Sequence, residues 1–517
     1  MDIEAEVVKE FGNWPGLVAA WAERRPDAAA LEDDHGSLTR REMVDQVDRI
    51  AVQLLADGLQ RGQAVAILGT TGIAYALVYL AAIRAGGCAA PLTTSATPRQ
   101  LANMMADSGA IHLFIDKPKR DELVESGIAI PPLRTVMLDG ADGDAPALGD
   151  WMAPPGSSPD VPAPEPRDPF NIIYSSGTTG TPKGIVHSHA MRWRQSVLGF
   201  QSIYSPDSRS ILSTPLYSNT TLACFLPTIV NGGMVRLMGK FDATRWLDLA
   251  EAMRATHTML VPVQYQRLLN HPDFDAHDLS SMQLKFCTSA PFSAELKAEA
   301  LKRFPGGLVE IYGMTEGGVA CMLLAHQFPD KLHTVGRPAT GHEVRVIDED
   351  GRELPPGSKG ELVGRSGTMM SGYQNQPDKT REMHWYDSEG GLWYRMGDIG
   401  IVDEDGFVAI VGRAKDMIIS GGFNIYPKDL EDALMAEPEV ADAAVVGMAS
   451  EQWGETPVAF VVGAPGQALD CEALRQRVNS ELGKTQRLAE IRAIDELPRS
   501  HIGKVLKTEL RAMLGTG

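Results

Sequence analysis

No stretch of this sequence is both long and apolar enough to cross a bilayer; the apolar section 211–230, for example, is broken by Pro215, Ser218, Asn219 and Pro227. The first residues, Met1-Asp2-Ile3-Glu4-Ala5-Glu6, lack the basic flank and apolar run of a secretory leader, so a cytosolic location is expected. Cysteine is scarce. Cys88, Cys224, Cys287, Cys321 and Cys471 are scattered, odd in number and never spaced Cys-x-x-Cys, which speaks against a disulfide framework, a zinc site or a thioredoxin-like pair. Reduced thiols packed as small apolar groups are expected instead. Positive charge is short as well. The 48 Lys and Arg against 67 Asp and Glu leave a formal charge of −19, without the clustered basic residues that a nucleic-acid surface needs. Anionic ligands must then be held locally, by loops, backbone N–H groups and single lysines.

What is present is an ordinary globular composition, 44% hydrophobic and 22% charged, in a chain of 517 residues that is too long for one core. Thr39 to Glu42 reads as a capping box, and Met43, Val47, Ile50, Leu54 and Leu55 follow at helical spacing. Ala64 to Gly69 reads as a buried strand, Ile73 to Ala85 as a helix and Cys88 to Leu92 as a strand. Pro98 to Asp107 then reads as a helix and Ile111 to Ile115 as a strand. This alternation predicts a largely parallel sheet covered by helices. A Pro/Ser/Asp/Glu-rich connector spans 154–169 and leads to a strand at Phe170 to Tyr174. From Leu332 onward the pattern turns to short strands, at Val344 to Ile347, Glu361 to Val363, Leu392 to Tyr394 and Phe407 to Ile410, with Asp-Gly turns between, as in an all-β subdomain. The end of the chain returns to mixed helix and strand.

The segment Tyr174-Ser175-Ser176-Gly177-Thr178-Thr179-Gly180-Thr181-Pro182-Lys183-Gly184 has the makings of a polyphosphate cradle. Its glycines let backbone N–H groups converge, the hydroxyls of Ser175, Ser176, Thr178 and Thr179 add donors, and Lys183 adds charge. A plain surface loop would share this composition. It is not a Walker loop, because Pro182 precedes the lysine and Gly184 follows it where a hydroxyl would be required.

Over nearly its whole length the chain resembles the adenylate-forming superfamily of acyl- and aryl-CoA synthetases, peptide-synthetase adenylation domains and beetle luciferases, and within it the fatty-acid:CoA and 4-coumarate:CoA ligase branch. The resemblance rests on that loop and on further motifs in the family's order. In Ile311-Tyr312-Gly313-Met314-Thr315-Glu316 it implies that Tyr312 packs on adenine, with Gly313 and Met314 beside it, that Thr315 touches the α-phosphate and that Glu316, together with Thr178, holds Mg²⁺. A hard dication takes oxygen ligands, and one carboxylate plus substrate phosphates is the usual magnesium arrangement. Ser289-Ala290-Pro291 corresponds to a small-residue turn beside the adenine. Asp398, in Tyr394-Arg395-Met396-Gly397-Asp398, is implied to accept from both ribose hydroxyls, with Arg413 as a second ribose contact. Lys415 is implied as a hinge, and Gly421 and Gly422 as the lining of a pantetheine tunnel, where a Cβ would crowd the thiol's path. Pro498 to Lys504 matches the last motif and makes Lys504 the catalytic lysine, while Lys507 beyond it is expected to be merely solvated.

The fold class implied is α/β: a large N-terminal domain, 1–414, of parallel α/β subdomains plus a β-rich subdomain, and a small mobile α+β C-terminal domain, 415–517. The activity implied is an AMP-forming ligation of a small-molecule carboxylic acid to coenzyme A through an acyl-adenylate, with ATP, Mg²⁺ and coenzyme A as cofactors. Selectivity is expected from Tyr217, Ser218 and Asn219, and from Ile311, Met314 and Val319. Many such ligases carry His where Ser218 stands. No carboxylate lies between Tyr217 and Thr220 to hold an ammonium, so an uncharged aryl, arylalkanoic, alicyclic or medium-chain tail is expected. Rival readings are a carrier-protein-loading adenylation enzyme, a luciferase-like monooxygenase and a non-catalytic nucleotide binder. Similar enzymes are commonly homodimers, and no sequence feature selects that state.

Overall fold

The computed structural model describes residues 1–175, 183–200, 202–420, 423–450, 453–482, 487–500 and 503–514. Among them, the capping box forms as expected: Thr39 accepts from the Glu42 N–H, Glu42 accepts from the Thr39 N–H, and the helix Arg40–Ala56 follows. The helix Ile73–Arg84 is buried all round from Tyr75 to Ile83, which places it inside the molecule rather than on a sheet's outer face.

Two large sheets share one core. The first has seven strands in the order Gly372–Tyr373, Lys183–Ser188, Pro169–Ser175, Cys88–Pro91, Ala64–Leu68, His112–Ile115 and Arg134–Met137. The last five are parallel and the first two are antiparallel additions. The second has nine, in the order Arg337–Pro338, Gly317–Leu324, Gly307–Met314, Leu284–Cys287, His257–Leu260, Arg209–Leu212, Met234–Leu237, Ala29–Asp33 and Gly36–Thr39. Its six central strands are parallel, and both edges are closed by antiparallel strands. Helices Ile73–Arg84 and Asn219–Val230 lie between the sheets in a core that runs from Val65 and Ile67 to Leu212 and Val235. Their rings meet at Tyr79 and Phe225, 6.5 Å apart and edge-on.

The expected all-β section forms an antiparallel sheet of His342–Ile347, Lys359–Ser366, Leu392–Val402, His384–Tyr386 and Val408–Arg413. A short 3₁₀ turn, Ala414–Asp416, leads from it into a last sheet built on Val440–Ser450 and Gly454–Gly463, with helices Pro427–Met435, Cys471–Glu481 and Lys507–Leu514. This region has a core of its own, around Leu430, Leu434, Val445, Val461, Leu474 and Val478. Four of the five cysteines are buried and Cys471 is half-buried, all as free thiols. No helix among the described residues is long and apolar enough to cross a membrane.

Candidate active site

The site begins with a hairpin. Strands Gly307–Met314 and Gly317–Leu324 run antiparallel, which leaves Thr315 and Glu316 in the turn and Tyr312, Gly313 and Met314 just before it. The Tyr312 hydroxyl donates to Asp398 Oδ2 at 2.6 Å. Asp398 sits opposite Arg413 in the register of the neighbouring sheet, and Arg413 Nε donates to Asp398 Oδ1 at 2.8 Å. Each carboxylate oxygen thus has one partner and one lone pair to spare, the arrangement a vicinal diol needs. Burial, and then the Asp398 charge, push the Tyr312 hydroxyl well above the usual tyrosine range, so it stays a donor.

Behind the turn lies a buried polar network that the motifs did not announce. His187 Nε2 stands 2.8 Å from the Thr315 carbonyl oxygen, while its Nδ1 faces Arg192 at 2.8 Å and Asn171 Nδ2 at 3.2 Å. Arg192 Nε donates to Asn171 Oδ1 at 2.8 Å, which orients that amide. With donors on Nδ1, the imidazole is assigned as the Nε2–H tautomer, donating to Thr315. Burial, and then the Arg192 charge, hold its pKa well below the usual histidine range, so it stays neutral. His187 and Asn171 lie in adjacent strands in register, a pairing of residues 16 apart that no local pattern reveals.

Glu316 is held by a second group outside the motifs. Tyr373 donates its hydroxyl to Glu316 Oε1 at 2.7 Å, and the Met370 N–H donates to the Glu316 carbonyl oxygen at 2.9 Å. The Tyr373 strand pairs with Lys183–Ser188, and Lys183 Nζ lies 4.9 Å from the centre of the Tyr373 ring. Ser175 and Lys183 are paired across the antiparallel strands that flank the expected cradle. Ser176, Gly177, Thr178, Thr179 and Gly180 lie outside the described residues, as do Gly421 and Gly422, and of Ser175 only the backbone pairing is described.

From the C-terminal region, the turn at Ser500 to Lys504 is closed by the Ser500 N–H donating to the Lys504 carbonyl at 2.8 Å. It rests on the start of helix Pro262–Leu269: Gly503 takes φ +76°, and a Cβ there would come 3.2 Å from Val263 Cγ1. Lys504 is exposed, but partial desolvation, then the charges of Arg413 and Lys415, lower its pKa to about 8. Asp398 and Asp416 act in the opposite direction. Lys415, also exposed, is lowered by desolvation and by Arg413. The structure therefore gathers Tyr312, Asp398, Arg413, Lys415 and Lys504 at one place, although they span nearly two hundred residues of chain. Lys507 departs from expectation. It is not free in solvent but pairs with Glu431 at 2.6 Å, tying the last helix to Pro427–Met435.

The expected acyl wall is the N-terminus of helix Asn219–Val230. Ser218 is its cap, accepting from the Thr220 N–H at 3.2 Å, so the hydroxyl that replaces His has a helix-terminating task. Tyr217 Oη and Asn219 Oδ1 are buried without a hydrogen-bond partner among the described residues. Thr220 shares a hydrogen bond with the hydroxyl of Ser289, which adopts a left-handed φ of +81°, unusual for a residue with a Cβ. The turn Ser289-Ala290-Pro291 is thereby fastened to the start of helix Asn219–Val230. Ile311 packs on the main core, and Met314 packs toward Met370 and Tyr394. Val319 lies deeper than these two. It is 1% exposed and packs with Cys321, Val346, Leu362, Met396 and Val408, so it belongs to the joint between the hairpin and the β-rich sheet rather than to a ligand wall.

Comparison with known proteins agrees with this geometry. The family model for the AMP-binding enzyme matches residues 18–374, and that for the AMP-binding enzyme C-terminal domain matches 429–504. The chain is 34% identical over 513 residues to a feruloyl-CoA synthase of an Amycolatopsis species, covering 98% of this chain and 99% of that one. It is 30% identical to an indoleacetate–CoA ligase of Aromatoleum aromaticum, with coverage of 96% and 98%. Among solved structures, ATP-bound MatB from Rhodopseudomonas palustris superposes with a TM-score of 0.86 at 31% identity, covering 98% of this chain and 99% of that one.

Proposed function

The chain belongs to the AMP-binding enzyme family, and on that premise we propose that Asp398, Arg413, Glu316 and Lys504 carry its reaction, the AMP-forming ligation of a carboxylic acid to coenzyme A. The observation that supports the assignment is the position of Lys504, brought by the C-terminal region to the side of Arg413, Lys415 and Asp398.

In the first half-reaction the acid's carboxylate attacks the α-phosphorus of ATP and pyrophosphate leaves. Asp398 and Arg413 fix the ribose, Tyr312 borders the adenine, and the Thr315 backbone, braced by His187, meets the α-phosphate. Lys504 lies where two anions must approach each other, and its ammonium offsets both their repulsion and the charge that builds at phosphorus. Ser175, Ser176, Gly177, Thr178, Thr179, Gly180 and Lys183 cradle the departing phosphates. Magnesium supplies charge neutralisation at those phosphates. Glu316 would hold it, since a lone carboxylate suits an ion that takes its other ligands from substrate and water.

In the second half-reaction, 415–517 turns as a unit against 1–414 about Lys415. Lys504 leaves the cleft, Gly421 and Gly422 come to line the thiol's path, and coenzyme A attacks the acyl carbon, releasing AMP. The acid carries an uncharged tail of the aryl, arylalkanoic, alicyclic or medium-chain kind. In support, residues 217–220 hold no charge, Ile311 and Met314 are apolar, and two relatives carry feruloyl and indoleacetate in their names. Buried free thiols suit a reducing cytosolic setting. The test is a panel of such acids assayed for coenzyme A-dependent AMP release. A competent acid gives AMP and thioester in equal amounts. AMP release that proceeds only with a phosphopantetheinyl carrier protein, or no pyrophosphate release with any acid, would overturn the reading.

A further inference from the structure

Tyr373 lies in none of the motifs that suggested the chemistry, yet it touches two of the groups they supplied. It is 8% exposed, on a two-residue strand, Gly372–Tyr373, at the edge of the seven-stranded sheet. Its backbone is fastened on both sides. The Tyr373 N–H donates to Thr380 Oγ1 at 2.9 Å, and the next residue, Gln374, donates its N–H to the Gly184 carbonyl at 2.7 Å. Ile185, Met370 and Tyr394 pack around the ring. From that fixed base the hydroxyl reaches Glu316 Oε1 at 2.7 Å, with Met383 Sδ 3.0 Å away on its other side, and the ring sits under Lys183 Nζ at 4.9 Å. The Glu316 backbone is held by the same short segment, through the Met370 N–H.

We propose that Tyr373 is a positioning residue for the metal-bound nucleotide: its hydroxyl fixes the Glu316 carboxylate for a divalent cation, and its ring seats the Lys183 ammonium. The inference rests on the reading of Glu316 as the magnesium carboxylate. A carboxylate with one oxygen bound to a phenol cannot spin freely, and it presents its other oxygen, Oε2, in one direction. That suits a cation that accepts a single carboxylate oxygen in near-octahedral geometry and chelates poorly to a loosely held one. Facing a carboxylate oxygen at 2.7 Å, the phenol is the donor of the pair. Meanwhile the aromatic face holds Lys183 close to the start of the phosphate-binding segment without using up its N–H donors on a carboxylate. One side chain thus sets the spacing between the cation and the lysine that face the same phosphates.

The two functions separate by substitution. Tyr373→Phe keeps the ring and its packing and removes only the donor; Tyr373→Leu removes the seat for Lys183 as well. The measurement is titration of the full-length enzyme with Mn²⁺, followed by the electron paramagnetic resonance of free Mn²⁺, in the presence of α,β-methylene-ATP and without the acid. Binding of that nucleotide in EDTA is measured in parallel, and Glu316→Gln serves as the reference. We expect Tyr373→Phe to weaken Mn²⁺ binding about tenfold, the loss of one hydrogen bond to a charged group, while metal-free nucleotide binding stays within about twofold of the parent. Tyr373→Leu should weaken both. Transfer from a synthetic acyl-adenylate to coenzyme A, which involves no triphosphate, should be unaffected by Tyr373→Phe. The inference fails if Tyr373→Phe binds Mn²⁺ like the parent while Glu316→Gln does not, or if Tyr373→Phe loses metal-free nucleotide and acyl transfer to the same extent as metal. If Glu316→Gln also binds Mn²⁺ normally, the assignment of Glu316 falls, and the inference with it.

Discussion

At the scale of single residues, the role proposed for Lys504 carries a pH dependence. Its ammonium is the form that can offset two anions, and partial desolvation together with Arg413 and Lys415 brings its pKa down to about 8. The active form is therefore populated below that value and lost above it. In the free enzyme, kcat/KM for acid-dependent pyrophosphate release should fall as pH rises through about 8. Lys504→Arg, whose guanidinium does not titrate in this range, should lose that limb of the profile even if its rate is lower throughout. A stopped-rate assay from pH 6 to 10 on the two proteins checks this. Asp398, Glu316 and Lys504 could be proposed from the sequence because each sits in a short motif whose order along the chain is itself informative. Tyr373, Asn171, His187 and Arg192 could not, since Tyr373 reaches Glu316, and the other three brace Thr315, from distant parts of the chain. The His187 to Thr315 hydrogen bond joins residues 128 apart, and Tyr373 to Glu316 joins residues 57 apart. The packing of Val319 was hidden for a related reason: an apolar residue near a binding motif reads the same whether it faces a ligand or a neighbouring sheet.

At the scale of elements, the hairpin that carries Thr315 and Glu316 depends on what lies at its base. Gly317 takes φ +93°, and a Cβ there would strike the Thr368 carbonyl oxygen and lie 2.7 Å from Met369 Cα, both of them backbone atoms of the segment that leads to Tyr373. Gly317→Ala should cost more than the roughly 1–3 kcal/mol of a strained left-handed residue, because neither neighbour can turn aside. Chemical denaturation should show the loss, together with a raised KM for magnesium-ATP; a variant within about 0.5 kcal/mol of the parent would contradict the packing described. The strand Gly307–Met314 is also pinned from behind. Lys297, on helix Ala294–Arg303, lies 2.5 Å from Glu310 and donates to the carbonyls of Leu332 at 2.7 Å and Thr334 at 3.0 Å, with both side chains buried. Burial pushes the Glu310 pKa up, and Lys297 restrains that rise. Lys297→Met would strand the carboxylate and cost about 3–5 kcal/mol at pH 8, where Glu310 is forced to stay charged or to take up a proton. The folded state then binds a proton that the unfolded state does not, so stability should fall with rising pH, and the penalty should be smaller at pH 6 than at pH 8. Denaturation at the two pH values decides it, and an equal penalty at both would argue against a buried charged pair.

Most elements were readable from period and punctuation. The capping box at Thr39, the helix from Ile73 and the strands at Ala64 and Leu392 all form where their patterns place them. The antiparallel edges of both large sheets were not readable, because edge pairing is decided by which strands arrive next to each other, not by the sequence of either one.

At the scale of the whole molecule, the core shared by the two large sheets and the separate core of the C-terminal region describe a frame and a part that docks on it. Among the described residues, contacts between the two include Lys359 Nζ, 4.4 Å from the Tyr426 ring centre, and Gly503 resting on Val261 and Val263. Surface contacts of this kind contribute little each, which suits the proposed rotation of the C-terminal region. The account stands on that joint: the same lysine must be present for adenylation and absent for thioester formation. The direct measurement is to assay Lys504→Ala in both half-reactions, following acid-dependent exchange of labelled pyrophosphate into ATP, and transfer from a synthetic acyl-adenylate to coenzyme A. The account predicts that exchange falls by a factor of about a hundred or more, while transfer stays within a few fold of the parent enzyme. An equal loss in both, from a protein that melts like its parent, would contradict it.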